Sequence, residues 1–288
     1  DSFGRNVDLR NACFDRFSQE YFHLSPYCKN REELKAMANN YSAFVVGSDQ
    51  LWRTDSVEHG YYTLEWVPDN ICKIAYSTSL GIKKVPWFQR KKNRWFMKRF
   101  NYMALREKSA CDLVYKLIGR EIQVVLDPTL LFTGEQWMHI QQETPLTNGK
   151  YIFCYLLGNN PQQRLFISEV QKRTGLKIVA LQHLDVSIPS DEGFANETPY
   201  DVGPAEFLNY VGNSEYIFTD SFHCSVFSIL YKKNFFVFSR FSENAMQNTN
   251  TRIDNLLSLT NLSQRKIDTK KNIDNLLSMP LDYVDVDE

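Results

Sequence analysis

Short, nearly unbroken apolar runs alternate along this chain with stretches whose apolar residues recur every three or four positions. The runs at 43–46, 73–77, 122–126, 151–157, 177–181, 216–219 and 234–238 are rich in Val, Ile, Phe and Tyr. They are too short for helices, and they predict strands. Helical spacing marks 31–39, 89–103, 109–118, 162–174 and 204–211. Strands apolar on both faces and separated by helices predict parallel sheet covered on both sides, an α/β chain. The polar run 141–150 (QQETPLTNGK) holds Pro145 and Gly149 ahead of a fresh strand, which predicts an interdomain linker. The expected division is an N-terminal Rossmann-like domain over 1–141, a C-terminal one over 150–265, and a helix with an acidic tail over 266–288. The hexapeptide IDNLLS, at 253–258 and again at 273–278, is repeated too few times for a solenoid and predicts two amphipathic helix segments.

In parallel α/β sheets, ligands bind beyond the carboxyl ends of the strands. The most informative junction is 216–230 (YIFTDSFHCSVFSIL), a buried strand that ends at Thr219 and turns straight into a helix. Asp220 or Ser221 can cap that helix, and His223 falls in its first turn. Free backbone N–H groups and the helix dipole make the turn an anion site, and an imidazole there suits acid-assisted chemistry on a phosphate or carboxylate. The same residues also read as a capped junction whose His packs locally. Asp49 follows a strand and Gly47, so it projects beyond the strand end, where it either binds a ligand, acts as a base, or caps the next turn. Gln50 and Trp52 bring an amide and an aromatic plane to the same loop, although a Trp there is more often core than platform. Asp127 before Pro128 reads as a strand-terminating turn.

At 288 residues and 43% hydrophobic, the chain is long enough for two cores. A net charge of −1 argues against a globally nucleic-acid-binding surface. Cys13, Cys28, Cys72, Cys111, Cys154 and Cys224 are scattered without a CxxC pair, as buried reduced thiols are, and predict neither zinc site nor disulfide framework. No metal ion or cofactor is expected. No apolar run approaches the ~18 residues that span a bilayer, and no signal peptide opens the chain, so the expected location is cytoplasmic. Locally the charge is uneven. From Lys83 to Arg106 there are nine basic residues, no acidic one, and Trp87, Phe88, Trp95, Phe96, Phe100 and Tyr102 interleaved. Such a stretch is either an outer helix with a solvated basic face, or a surface for an anionic membrane or a phosphorylated, lipid-linked substrate.

Several segments together resemble one family, the polysaccharide pyruvyl transferases of bacterial exopolysaccharide and cell-wall synthesis. They are FVVGSDQLW from Phe44, KIAYSTSLG from Lys73, LRE from Leu105 and VVLDPTLL from Val124, followed by Trp137. Then come GPAEFL from Gly203, YIFTDSFH from Tyr216 and the region from Arg240 to Arg252. The resemblance covers roughly residues 15 to 265. It implies two Rossmann-like domains facing across a cleft, as in GT-B glycosyltransferases. The family's first strand and glycine-containing loop would precede residue 1, leaving the N-terminal domain incomplete.

The resemblance also implies transfer of a pyruvyl group from phosphoenolpyruvate to two sugar hydroxyls, giving a cyclic ketal and phosphate. The acceptor would be a sugar or oligosaccharide, lipid-linked or free, met at the inner membrane surface. His223 and Asp49 are then the expected acid and base. Arg106, Ser221, Phe222, His223, Arg240 and Arg252 are expected to bind the donor, with Asn250 a weaker candidate. Asp49, Gln50 and Trp52 are expected to bind the acceptor. Arg106 reads equally as a surface salt bridge with Glu107. Phosphoenolpyruvate-using members of the family carry Arg-Leu-His where this chain has Ser221-Phe222-His223, and Gly is usual at the position of Cys224. Two other activities fit the same fold: glycosyl transfer from a nucleotide sugar, and carbohydrate binding without catalysis.

Overall fold

In a computed structural model, the described residues are 2–82, 84–240, 250–281 and 283. Lys83, the segment 241–249 and nearly all of the expected acidic tail lie outside them. Two parallel sheets organise the chain. The first runs β1-β2-β3-β4, with β1 at Ala43–Val46, β2 at Cys72–Thr78, β3 at Tyr102–Leu105 and β4 at Gln123–Val124. The second has the order β6-β5-β7-β8-β9. Its strands are β5 at Tyr151–Tyr155, β6 at Lys177–Ala180, β7 at Tyr216–Thr219, β8 at Phe235–Phe238 and β9 at Lys266–Ile267, again all parallel.

Each sheet carries its own core. In the first, Val46, Ala75, Leu105 and Val114 pack with Trp52, Phe96, Met97 and Phe100. In the second, Ile152, Cys154, Phe218, Phe236 and Phe238 pack with Phe166, Ile167 and Val170 from the helix Pro161–Thr174. Two strands depart from the sequence reading. The expected helix 89–103 stops at Lys98, and Tyr102–Leu105 becomes β3. Phe96, Met97, Phe100 and Met103 keep helical spacing through that point, which hides the change of period. The two-residue β9 is too short to leave a periodic signal.

The division of the chain also differs from the expected one. Residues 25–131 form one compact unit, whereas 2–24 group with 132–240 and 250–281 in the other. The helix Ser2–Tyr21 docks on the second unit: Arg10 Nη1 donates to the Gln182 carbonyl at 3.1 Å, and Arg16 pairs with Glu206 at 2.5 Å. A Cβ at Gly203 would sit 3.1 Å from the Cys13 backbone, so glycine permits that approach. The short helix Gly134–Met138 belongs to the second unit too, with Trp137 edge-on to Phe227 at 5.1 Å. Residues 141–150 are not a free linker: Asn209 Nδ2 donates to the carbonyls of Gln142 at 2.5 Å and Thr144 at 3.0 Å. Finally, β9 and Leu276, from the helix Ile273–Leu277, complete the second core. Among the described residues, no helix is long and apolar enough to cross a membrane.

Candidate functional site

The carboxyl ends of both sheets gather charged side chains, and each group is built within its own unit. In the first unit the loops after β1, β3 and β4 meet. Asp127 is the hub. Its Oδ1 accepts from Thr129 N at 3.1 Å and Thr129 Oγ1 at 2.7 Å, closing the turn at Pro128. Its Oδ2 accepts from Ser48 Oγ at 2.6 Å and from Arg106 Nη1 at 2.5 Å. The Arg106 side chain is only 5% exposed and also meets Glu107 at 3.3 Å and Asp49 at 3.5 Å. Of its three carboxylate neighbours, only Asp49 is well exposed, at 58%.

Backbone geometry sets Asp49 outward. It stands at φ +74°, a left-handed conformation in which Asp is among the better-tolerated residues. Asp49 bridges to Thr78, and its carbonyl accepts from Ser79 N at 2.8 Å. That link depends on an irregularity in β2, where the register slips between Tyr76 and Thr78 around Ser77 at φ +57°. Bulges of this kind re-aim side chains near sites.

In the second unit the corresponding place is the turn after β7. Ser221 is the N-cap of the helix Phe222–Leu230, and its Oγ accepts from Cys224 N at 3.4 Å. Asp220, 1% exposed, points back across the sheet. Its Oδ1 accepts from Leu157 N at 2.7 Å and its Oδ2 from Gly158 N at 2.8 Å, which locks the β5 loop to the β7 turn. A Cβ at position 158 would lie 2.8 Å from Asp220 Oδ2, so the approach needs glycine. Arg240 donates from Nη2 to the Asp220 carbonyl at 2.9 Å and holds Nε 3.6 Å from its carboxylate. Arg252 lies over the Phe222 ring at 5.5 Å, and the half-buried His223 packs edge-on to that ring at 5.3 Å. Two guanidinium groups therefore flank the turn that carries His223.

The family model described as polysaccharide pyruvyl transferase matches residues 2–242. The chain belongs to that family. No curated protein matches it at a comparable level. Among solved structures, UDP-GlcNAc 2-epimerase from Methanocaldococcus jannaschii is similar at 15% identity and a TM-score of 0.54, over 94% of this chain and 83% of that one. The same epimerase in complex with UDP-GlcNAc and UDP gives a TM-score of 0.55 at 15% identity, over 93% and 82%. The S. aureus MnaA–UDP co-structure gives 0.50 at 12% identity, over 92% and 78%. At these identities the likeness speaks for the fold alone, the α/β class with parallel sheets that the resemblance implied.

Within this transferase, the expected site residues have separate fates. Asp49 and Arg106 come together, as do Ser221, Phe222, His223, Arg240 and Arg252. Trp52 does not join a site: it is 1% exposed, edge-on to Phe96 and Phe100, and its Nε1 donates to the Tyr62 carbonyl at 3.0 Å. A ring closed off in this way offers no face to a sugar. Gln50 rests against Gly81, where a Cβ would come within 2.9 Å of its amide carbon. Arg106 is neither a surface salt bridge nor an open cation, because its own side chain is buried against Asp127 and Glu107, with Asp49 on the open side. Ser221 acts as a cap, and Phe222 is buried. Asn250 opens the helix Asn250–Leu259. Cys224 is fully buried, and desolvation pushes its thiol up to about 12, so it stays protonated at neutral pH. Among the described residues, no three His, Cys, Asp or Glu side chains gather as metal ligands would.

One residue escaped the sequence reading. Arg10, on the helix Ser2–Tyr21, donates to the carbonyl of Gln182, just past the end of β6. Burial lowers the pKa of Arg10, and its Nη2 is buried with no hydrogen-bond partner. No local motif marks it, because its role comes from a docking contact with residues more than a hundred positions away.

Proposed function

We propose that the chain transfers the pyruvyl group of phosphoenolpyruvate to two hydroxyls of a sugar, forming a cyclic ketal and releasing phosphate. The observation that carries this reading is the β7 turn, where Arg240 and Arg252 flank a capped helix N-terminus bearing His223. Phosphoenolpyruvate brings a carboxylate and a phosphate, and both charges need cations or N–H groups around them. Asp220 shares its carboxylate between Arg240 and two backbone amides, so it offsets the charge of one guanidinium at most. Arg10 adds a third, desolvated guanidinium on the same sheet edge, and a buried unpaired donor of this kind gains most from an anionic ligand.

In the proposed chemistry, His223 delivers a proton to the enol carbon, turning the methylene into a methyl group. The first sugar oxygen bonds to the neighbouring carbon and gives up its proton. The second oxygen then displaces phosphate at that carbon and loses its own proton. Asp49, the exposed carboxylate of its cluster, is assigned to receive a hydroxyl proton. Arg106, ringed by carboxylates, is assigned to position Asp49 and not to clamp phosphate.

Thermal unfolding of the purified chain with phosphoenolpyruvate, and in parallel with UDP, GDP and CMP sugars, tests the reading. A ligand at a hundred times its dissociation constant adds roughly 2.7 kcal/mol. The expected result is a shift with phosphoenolpyruvate that is diminished in His223→Ala, together with phosphate release that requires an acceptor sugar and falls by about 10²–10⁴ in that variant. A response to nucleotide sugars alone would overturn the assignment in favour of glycosyl transfer.

A further inference from the structure

The basic, aromatic stretch between β2 and β3 forms one turn of 3₁₀ helix at Trp87–Gln89, followed by the α-helix Arg90–Lys98. Two stripes share its length. Gln89, Asn93, Phe96, Met97 and Phe100 recur every three or four positions and are buried. Trp87, Lys91, Arg94, Trp95 and Lys98 recur at the same spacing and are exposed. The inner stripe anchors the helix, with Phe96, Met97 and Phe100 in the core of the first unit. The outer stripe leaves large rings in water: Trp87 is 81% exposed, Phe88 58% and Trp95 50%.

The charges sort the same way. Lys92 pairs with Glu65 at 3.0 Å and Arg99 with Asp69 at 2.8 Å, so these two serve the fold. Lys84, Arg90, Lys91, Arg94 and Lys98 have no carboxylate partner among the described residues. Five such cations beside three exposed rings, with no acidic residue from 83 to 106, form a surface whose complement is both anionic and apolar. A nucleic-acid strand would satisfy the cations and could stack on the rings, but it offers no apolar layer beneath its phosphates to bury three rings. An anionic bilayer answers both needs over a short contact, with phosphates outside and acyl chains just beneath.

We propose that this face docks on an anionic lipid bilayer, with Trp87, Phe88 and Trp95 at headgroup depth and the five cations on lipid phosphates. The inference is independent of the donor assignment. Sedimentation of the full chain with vesicles of phosphatidylcholine alone, or of phosphatidylcholine mixed with phosphatidylglycerol, tests it. The chain should pellet only with the mixed vesicles, release as salt rises, and show blue-shifted tryptophan emission when bound. Lys91→Glu with Lys98→Glu should weaken partitioning by at least about tenfold, and Trp87→Ser with Phe88→Ser should abolish most of the emission shift. Both pairs are exposed, so circular dichroism and melting temperature should stay at their starting values. Failure to bind mixed vesicles, equal binding to neutral ones, or indifference to both double variants would overturn the proposal. So would single-stranded DNA that competes fully with the vesicles and binds with the same dependence on Lys91 and Lys98.

Discussion

Arg106 and Arg240 occupy comparable places, just past a strand in a parallel sheet, and each meets a buried aspartate. Their surroundings differ in what else meets that aspartate. Asp127 receives a serine hydroxyl and one turn, leaving the Arg106 charge as its main counterweight. Asp220 is held by two backbone amides before Arg240 reaches it. The first arginine therefore compensates carboxylates and keeps the cluster standing, whereas the second faces a carboxylate whose oxygens two backbone amides also share. Proximity of an arginine to a strand end does not by itself identify an anion site; the balance of its partners does.

The comparison breaks most visibly at Asp127. Replacing it with Ala leaves Arg106 buried without its main partner, and should cost about 3–5 kcal/mol of stability in urea unfolding. A loss under about 1 kcal/mol would show that Glu107 and Asp49 suffice. On the other side, Arg240→Gln should weaken phosphoenolpyruvate binding by about 1.5–3 kcal/mol, the range for a hydrogen bond to a charged group. Titration calorimetry would register this as roughly a ten- to hundredfold rise in Kd. An unchanged Kd would move the donor away from the β7 turn. The smallest effect on stability belongs to Asp49→Gly. Glycine accepts the positive φ at that position, so the fold should keep its stability to within about 1 kcal/mol. Turnover should be lost. A destabilisation matching that of Asp127→Ala would make Asp49 a structural partner and not a base.

Much of this was legible in the sequence because it is local. β1 and β7 lie where the apolar runs placed them, and the turn after β7 is capped by Ser221, one of the two residues expected to do so. Other features depend on partners far along the chain. The surroundings of Arg106 come from Ser48 and Asp127, residues 58 and 21 positions away, and no local pattern announces that three loops converge. Trp52 read as core more readily than as a sugar platform, and the rings of Phe96 and Phe100 decide it. The helix Ser2–Tyr21 is mostly polar, with Cys13 its one fully buried apolar side chain among the described residues, so its periodicity gave little warning. Its attachment to Gly203 and Glu206 could not be read without the fold.

That attachment sets an order of events during synthesis. The residues that receive the helix Ser2–Tyr21 include Gln182, Gly203 and Glu206, and they leave the ribosome well after it does. At bacterial or eukaryotic elongation rates of about 5–20 residues per second, the wait is roughly 10–40 s. Through that interval residues 25–131 can collapse on their own core while the helix ahead of them has no seat. Arg10 rides on this helix, so its guanidinium takes its place beside Gln182 only at the end of that wait. A nascent chain interrupted before Glu206 would carry a finished first sheet but only β5 and β6 of the second, with the helix Ser2–Tyr21 still unseated.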